Sequence, residues 1–261
     1  MNFSIHQASH IGDRKHNQDR AAYAYGKDAL LLVLADGMGG HLHGEVAAGI
    51  AMQTFVESFS AQANFGDPLD FLSQTMRLAH RRIMDLPKDV DHAFPGTTCV
   101  AALISGGRLY WGHAGDSRLY LLRCGEVSAR TLDHSMVQMW IKCGAIDAEE
   151  ARTHPRRNQI TNCLGGVEDL IEIELGEPVD LQSGDVVLLC SDGLFGPFVY
   201  HELADAFSVN PVDVALNELI VRAIERESGR ADNATGIAVR WGSAEASHET
   251  DAVVSHILEI H

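Results

Sequence analysis

The sequence predicts an α+β fold of stacked antiparallel sheets with helices packed outside them. Two observations lead there. Short apolar runs rich in branched residues recur along the chain, bounded by Gly, Asp or Ser, as strands are. Helical stripes occupy only three segments and do not alternate strictly with the strands, which argues against a doubly wound parallel sheet. The 261 residues, 46% apolar and 21% charged, suffice for one domain with a large core.

The expected strands are Ala21–Tyr25, Ala29–Ala35, Thr98–Ile104, Arg108–Ala114, Arg118–Arg123, Val186–Cys190 and Thr235–Trp241. The first helix is expected from Glu45 to about Ala63, carrying Val46, Ile50, Phe55 and Phe59. A second spans Pro68 to Leu86, where Leu72, Met76, Ala79 and Ile83 step by helical turns along one stripe. A third, Pro211 to Ser228, opens with proline near its first turn and carries Val212, Leu216, Leu219 and Ala223. Residues 135–165 break the pattern with short helical pieces and the basic cluster ARTHPRRNQ. After Trp241 the chain turns polar. Val253, Val254, Ile257 and Leu258 then fit either a short docking helix or a frayed tail. The organisation expected is one domain over 1–242 and a tail over 243–261.

A net charge of −16 disfavours a nucleic-acid backbone or an anionic membrane as the main partner. The five cysteines, Cys99, Cys124, Cys143, Cys163 and Cys190, form no C-x-x-C pair, and several sit in apolar runs. That suggests reduced, buried thiols in a cytoplasmic protein. MNFSIHQASH has no basic start and apolar core, so no signal peptide is expected, and no apolar run approaches the roughly 20 residues that span a bilayer.

Five aspartates lie at the margins of strands: Asp19, Asp36, Asp116, Asp192 and Asp232. For any one of them a turn is the simpler reading, because Asp-Gly is a hairpin signal and aspartate bonds its own backbone. The set is harder to explain that way. Strands sharing a sheet bring their ends together, and clustered carboxylates repel unless solvated or neutralised by cations. Oxygen donors of this kind suit Mn²⁺ or Mg²⁺, and no Cys/His grouping suggests zinc. Two such ions bridged by one aspartate would acidify a shared water and clamp a phosphoryl group. Arg14, five residues before Asp19, would supply the planar cation that phosphate oxygens need.

The ordered series is Arg14-x-x-Asn17-Gln18-Asp19, Asp36-Gly37-Met38-Gly39-Gly40-His41, Gly44-Glu45, Gly96-Thr97-Thr98, and Gly115-Asp116-Ser117-Arg118. It continues with Asp133-His134-Ser135, Arg157-Asn158-x-Ile160-Thr161, Leu164-Gly165, Ser191-Asp192-Gly193-Leu194 and Asp232-Asn233-Ala234-Thr235. This resembles the metal-dependent serine/threonine protein phosphatases, the protein phosphatase 2C-like (PPM) family, in its bacterial form. The match runs from about Ile5 to Trp241. Each motif alone is weak, but the series in this order is specific.

The resemblance implies a four-layer α-β-β-α sandwich, two antiparallel sheets flanked by helices, with a centre of two Mn²⁺ or Mg²⁺ ions. Asp36 would bridge them. Asp192 and Asp232 would complete one site; Asp19 and the Gly37 carbonyl would serve the other. A third ion would fall to Asp116 and Asp192. Arg14 would bind the substrate phosphate. Two positions depart from the pattern. Gln18 stands where many members have Glu, and Met38 stands where eukaryotic relatives carry a histidine proposed as general acid. His41 is the candidate in bacterial relatives, either donating that proton or ordering the site; His43 and His134 read as structural.

Residues 135–165 match the family's flap. Its Arg152 and Arg156 would meet acidic or phosphorylated substrate segments, or simply be solvated. The expected partners are phosphorylated proteins of a bacterial serine/threonine kinase, with neither nucleic acid nor membrane, and a monomer is expected. Three readings stand: an active phosphatase, a binding module on the same fold, and another two-metal hydrolase such as a nuclease. The acidic charge and the lack of a basic track beside aromatics disfavour the last.

Overall fold

The structure, a computed structural model, describes residues 1–38, 43–62, 65–86, 95–166, 171–242 and 253–258. Its strands are β1 (Phe3–His10), β2 (Asp19–Tyr25), β3 (Ala29–Met38), β4 (Gly96–Thr97), β5 (Cys99–Ser105), β6 (Arg108–Ala114) and β7 (Arg118–Arg123). They continue with β8 (Glu126–Arg130), β9 (Leu164–Gly165), β10 (Glu174–Leu175), β11 (Val179–Asp180), β12 (Val186–Cys190), β13 (Ala234–Trp241) and β14 (Val254–Ile257). The helices are α1 (His43–Ser60), α2 (Pro68–Met84), α3 (Met136–Lys142), α4 (Ala148–Thr153), α5 (Asp192–Phe195), α6 (Tyr200–Val209) and α7 (Val212–Arg226).

One antiparallel sheet runs β1-β13-β12-β7-β8, the other β10-β6-β5-β3-β2-β14. Side-chain alternation divides them into four layers. In β3, Leu30, Leu32 and Leu34 join Val100, Ile104, Leu119, Val187, Leu189 and Ile237 between the sheets. Leu31, Val33 and Ala35 point the other way, into the core under α1 and α2. Leu188 and Cys190 of β12 likewise turn outward beneath α6 and α7. The central strands are thus covered on both faces, which is why they read as continuous apolar runs rather than alternating ones.

All seven expected strands form, and the α2 stripe Leu72, Met76, Ala79 and Ile83 is buried as the spacing predicts. Helix α1 differs. Val46 is 45% exposed, and the buried face is Ala47, Ala48, Ala51, Met52, Phe55 and Phe59. Small residues there let the helix lie close on β3, so the inward face is not marked by large side chains. Strand β3 also outruns its expected end: Asp36, Gly37 and Met38 stay extended because the partner changes from β5 to β4, which pairs Gly37 with Thr97. The chain therefore does not turn at Asp36-Gly37.

Residues 254–257 are a strand, not a docking helix. They pair with β2 from Val254↔Tyr25 to Ile257↔Ala22, and His256 stacks on Tyr23 with centroids 4.7 Å apart. The segment adds a strand to the outer edge of β2. Of the cysteines, Cys99 and Cys190 are buried as expected, whereas Cys124 and Cys143 are exposed; all five are free thiols. Among the described residues, no helix is long and apolar enough to cross a membrane.

Candidate metal centre

The two sheets present their carboxylates at one end of the sandwich. Asp19 begins β2 and is the direct cross-strand partner of Asp36 in β3. Like charges in that position destabilise a sheet, so the pairing needs a compensating partner. Asp116 follows β6, Asp192 follows β12 as the first residue of α5, and Asp232 precedes β13. All but Asp19 line an open cleft of about 770 Å³, together with Arg14, Lys15, His16, Gln18, Gly37, Met38 and Glu45. Asp19 lies beneath it, with no exposed surface.

Local backbone features place each acid. The Thr98 hydroxyl accepts the Asp36 N–H at 3.0 Å, and the Thr97 hydroxyl donates to the Asp36 carbonyl at 2.8 Å. A Cβ on Gly44 would lie 2.8 Å from the Gly37 carbonyl carbon and 2.9 Å from the Met38 nitrogen, so α1 starts backbone-to-backbone against β3. Gly115, at φ +111°, makes the bend that turns Asp116 inward. Asn233 organises the loop carrying Arg14: its side-chain amide donates to the Ile11 and His16 carbonyls, and its Oδ1 accepts the Gln18 N–H at 2.8 Å. Arg14 reaches Asp232 at 2.6 Å while remaining 59% exposed. Arg118 grips Asp133 with both arms of its fork, at 2.6 and 2.7 Å, and lies over the Phe195 ring, tying β7, the segment leading into the flap and α5 together.

The carboxylates carry the electrostatic cost of this arrangement. Burial, reinforced by Asp192 and Asp232, raises Asp19 to about 7 although Thr235 and Ser191 hydroxyls bond its charged form. Asp36 is raised well above the carboxylate range by burial, then by Asp19, Asp192, Asp116 and Asp232. Asp116 follows for burial, Asp192 and Asp133, and burial with Asp232 lifts Asp192 to about 6. Asp19 Oδ1 and Asp116 Oδ1 are buried without a hydrogen-bond partner among the described residues. Inward oxygens without donors, among mutually raised carboxylates, are what a divalent cation of hard character would satisfy.

The structure thus brings together Arg14, Asp19, Asp36, Gly37, Asp116, Asp192 and Asp232. Arg152 and Arg156 are exposed on the flap and do not line the cleft; the flap reaches it through Asn158, Gln159 and Ile160. His41 lies outside the described residues, as does the side chain of His43. Sequence reasoning missed Ser191 and Thr98 as supports, and Lys15 and His16 as cleft residues; the strand-end motifs already contained the first two.

A second group, His113, His134 and Glu174, has ligand atoms within 4.8 Å of one another. The hydrogen bonds argue against a metal there. His134 Nδ1 accepts from the Asn162 amide at 2.7 Å and the Gly115 N–H at 3.3 Å, so its proton sits on Nε2, facing Glu174 at 3.5 Å. The two rings stack with centroids 4.6 Å apart. His134 is structural, joining the flap to the Asp116 loop.

Fold and site together define a two-sheet sandwich in which aspartates from both sheets meet at one cleft as a candidate metal centre. The family model described as protein phosphatase 2C matches residues 6–217. The chain belongs to that family. It is 37% identical over 223 residues to the serine/threonine protein phosphatase PstP of Mycobacterium tuberculosis, covering 85% of this chain and 41% of that protein. The chain thus spans about two-fifths of that relative's length. The solved serine/threonine phosphatase of S. agalactiae superposes with a TM-score of 0.83 at 31% identity, covering 92% of this chain and 99% of the other. The catalytic domain of PstP in complex with 2 manganese ions superposes at 0.77 with 32% identity, covering 91% and 97%.

Proposed function

We propose that the chain is a metal-dependent protein serine/threonine phosphatase that hydrolyses phosphoserine and phosphothreonine by direct attack of water. The observation that carries this reading is the meeting of four aspartates in one open cleft with Asp19 buried directly beneath them, where Asp19 Oδ1 and Asp116 Oδ1 lack any partner among the described residues. Two Mn²⁺ or Mg²⁺ ions suit that donor set: Asp36, Asp192 and Asp232 would hold one, Asp36, Asp19 and the Gly37 carbonyl would hold the other, and Asp116 and Asp192 would hold a third. When bound, such ions acidify a water and withdraw charge from phosphoryl oxygens.

The chain's own residues do the rest. Arg14, exposed at the cleft mouth, orients the phosphoryl oxygens with its planar fork. Its pairing with Asp232 keeps it beside the acids until an anion arrives. His41, or solvent in its place, protonates the departing serine or threonine oxygen. Arg152 and Arg156 engage residues flanking the phosphorylated one. A cytoplasmic location, a signalling role opposite a bacterial serine/threonine kinase, and action as a monomer belong to the same reading.

Phosphate release from an aryl phosphate and a phosphothreonine peptide, with and without Mn²⁺, tests it. Mn²⁺-dependent release from both is expected. A protein inert at saturating Mn²⁺ would be a binding module on this fold instead.

A further inference from the structure

Asp19 and Ser191 come from opposite sheets, 172 positions apart, and meet beneath the cleft with no exposed surface on either. The Ser191 oxygen accepts the Thr235 N–H at 3.0 Å, so its own proton is free to donate. Three acceptors are near: Asp19 Oδ2 at 2.8 Å, the Asn233 carbonyl at 3.4 Å and the Thr235 carbonyl at 3.5 Å. The first is the shortest and the only ionisable one, so the proton belongs to Asp19.

A second arm reaches the same carboxylate. Asn17 Nδ2 can only donate, and it donates to Ser9 Oγ at 2.9 Å. Ser9 Oγ and Thr235 Oγ1 are hydrogen-bonded at 2.6 Å with either able to donate, and the Thr235 hydroxyl is the second side chain that favours the charged form of Asp19. Asp19 Oδ1 is left buried with no partner among the described residues.

We propose that Ser191 and Thr235 are positioning residues of the metal centre, whose hydroxyls hold Asp19 so that only Oδ1 faces a divalent cation. This rests on Asp19 being a ligand, as read above. Calorimetric titration of the whole chain with Mn²⁺ tests it, using Ser191→Ala, Thr235→Val and Asp19→Asn. Asp19→Asn should remove one binding site. Ser191→Ala and Thr235→Val should weaken that same site about 10–100-fold and leave the other unchanged, and Ser191→Thr should restore it. Should Ser191→Ala fail to fold, Thr235→Val, which keeps the buried volume, carries the test. If Asp19→Asn removes a site while both hydroxyl variants bind like wild type, or if the hydroxyl variants weaken all sites equally, the positioning role is wrong. If Asp19→Asn leaves the isotherm unchanged, the ligand assignment itself fails.

Discussion

Removing a charge from the metal centre should stabilise the metal-free protein. Asp19 sits at about 7 instead of 3.8, chiefly because it is buried, with Asp192 and Asp232 adding to the cost. At about 1.4 kcal/mol per pH unit, forcing it to ionise costs on the order of 4 kcal/mol. Since its folded value is raised, the stability it allows is complete below pH 3.8 and is lost as pH climbs through about 7. Asp19→Asn keeps the shape, can still accept from Ser191, and can donate toward Asp36. Burial of its amide offsets part of the gain, leaving roughly 1–3 kcal/mol, or about 2–10 °C in Tm for a chain of this size. Thermal melts in chelator at pH 8 should show that rise, and it should shrink toward pH 5, where wild-type Asp19 is already protonated. Saturating Mn²⁺ should reverse the order. A variant no more stable than wild type at pH 8, or equally advantaged at pH 5, would refute the reasoning.

Other outcomes follow from the same geometry. Asp36→Asn and Asp192→Asn should each lower Mn²⁺-dependent turnover of an aryl phosphate by about 10²–10³-fold or more, read by initial rates. Arg14→Ala should raise KM for both the aryl phosphate and the peptide, since it meets the phosphate they share. Neutralising Arg152 and Arg156 together should raise KM for phosphopeptides and spare the aryl phosphate; equal effects on both would remove these arginines from substrate recognition. Gly44→Ala should cost about 1–3 kcal/mol in denaturant unfolding, because its Cβ would press on the Gly37 and Met38 backbone.

What could be read from the sequence follows how local each signal is. Strands β2, β3, β5, β6, β7, β12 and β13 were legible because each is a compact branched run, and α2 because its stripe is regular. Strand β1 was not: FSIHQASH is half-buried along most of its length, so its polar residues mask the pattern. Helix α6 was missed for lack of a long stripe, with Leu203, Ala204 and Phe207 as its buried face. The tail segment suits a helix or a strand equally, and the open edge of β2 decides it. The five acids were legible because each stands beside a strand. The hydroxyl bond from Ser191 to Asp19 was not, since it exists only once two sheets are stacked. The stretch Asp36-Gly37 carried a turn signal that pairing with β4 overrides.

The most direct test of the account is anomalous diffraction from crystals grown with Mn²⁺. Two peaks are predicted in the cleft, both beside Asp36, one toward Asp192 and Asp232 and the other toward Asp19 Oδ1 and the Gly37 carbonyl. No peak among these residues at saturating Mn²⁺, or one instead between His113, His134 and Glu174, would contradict it.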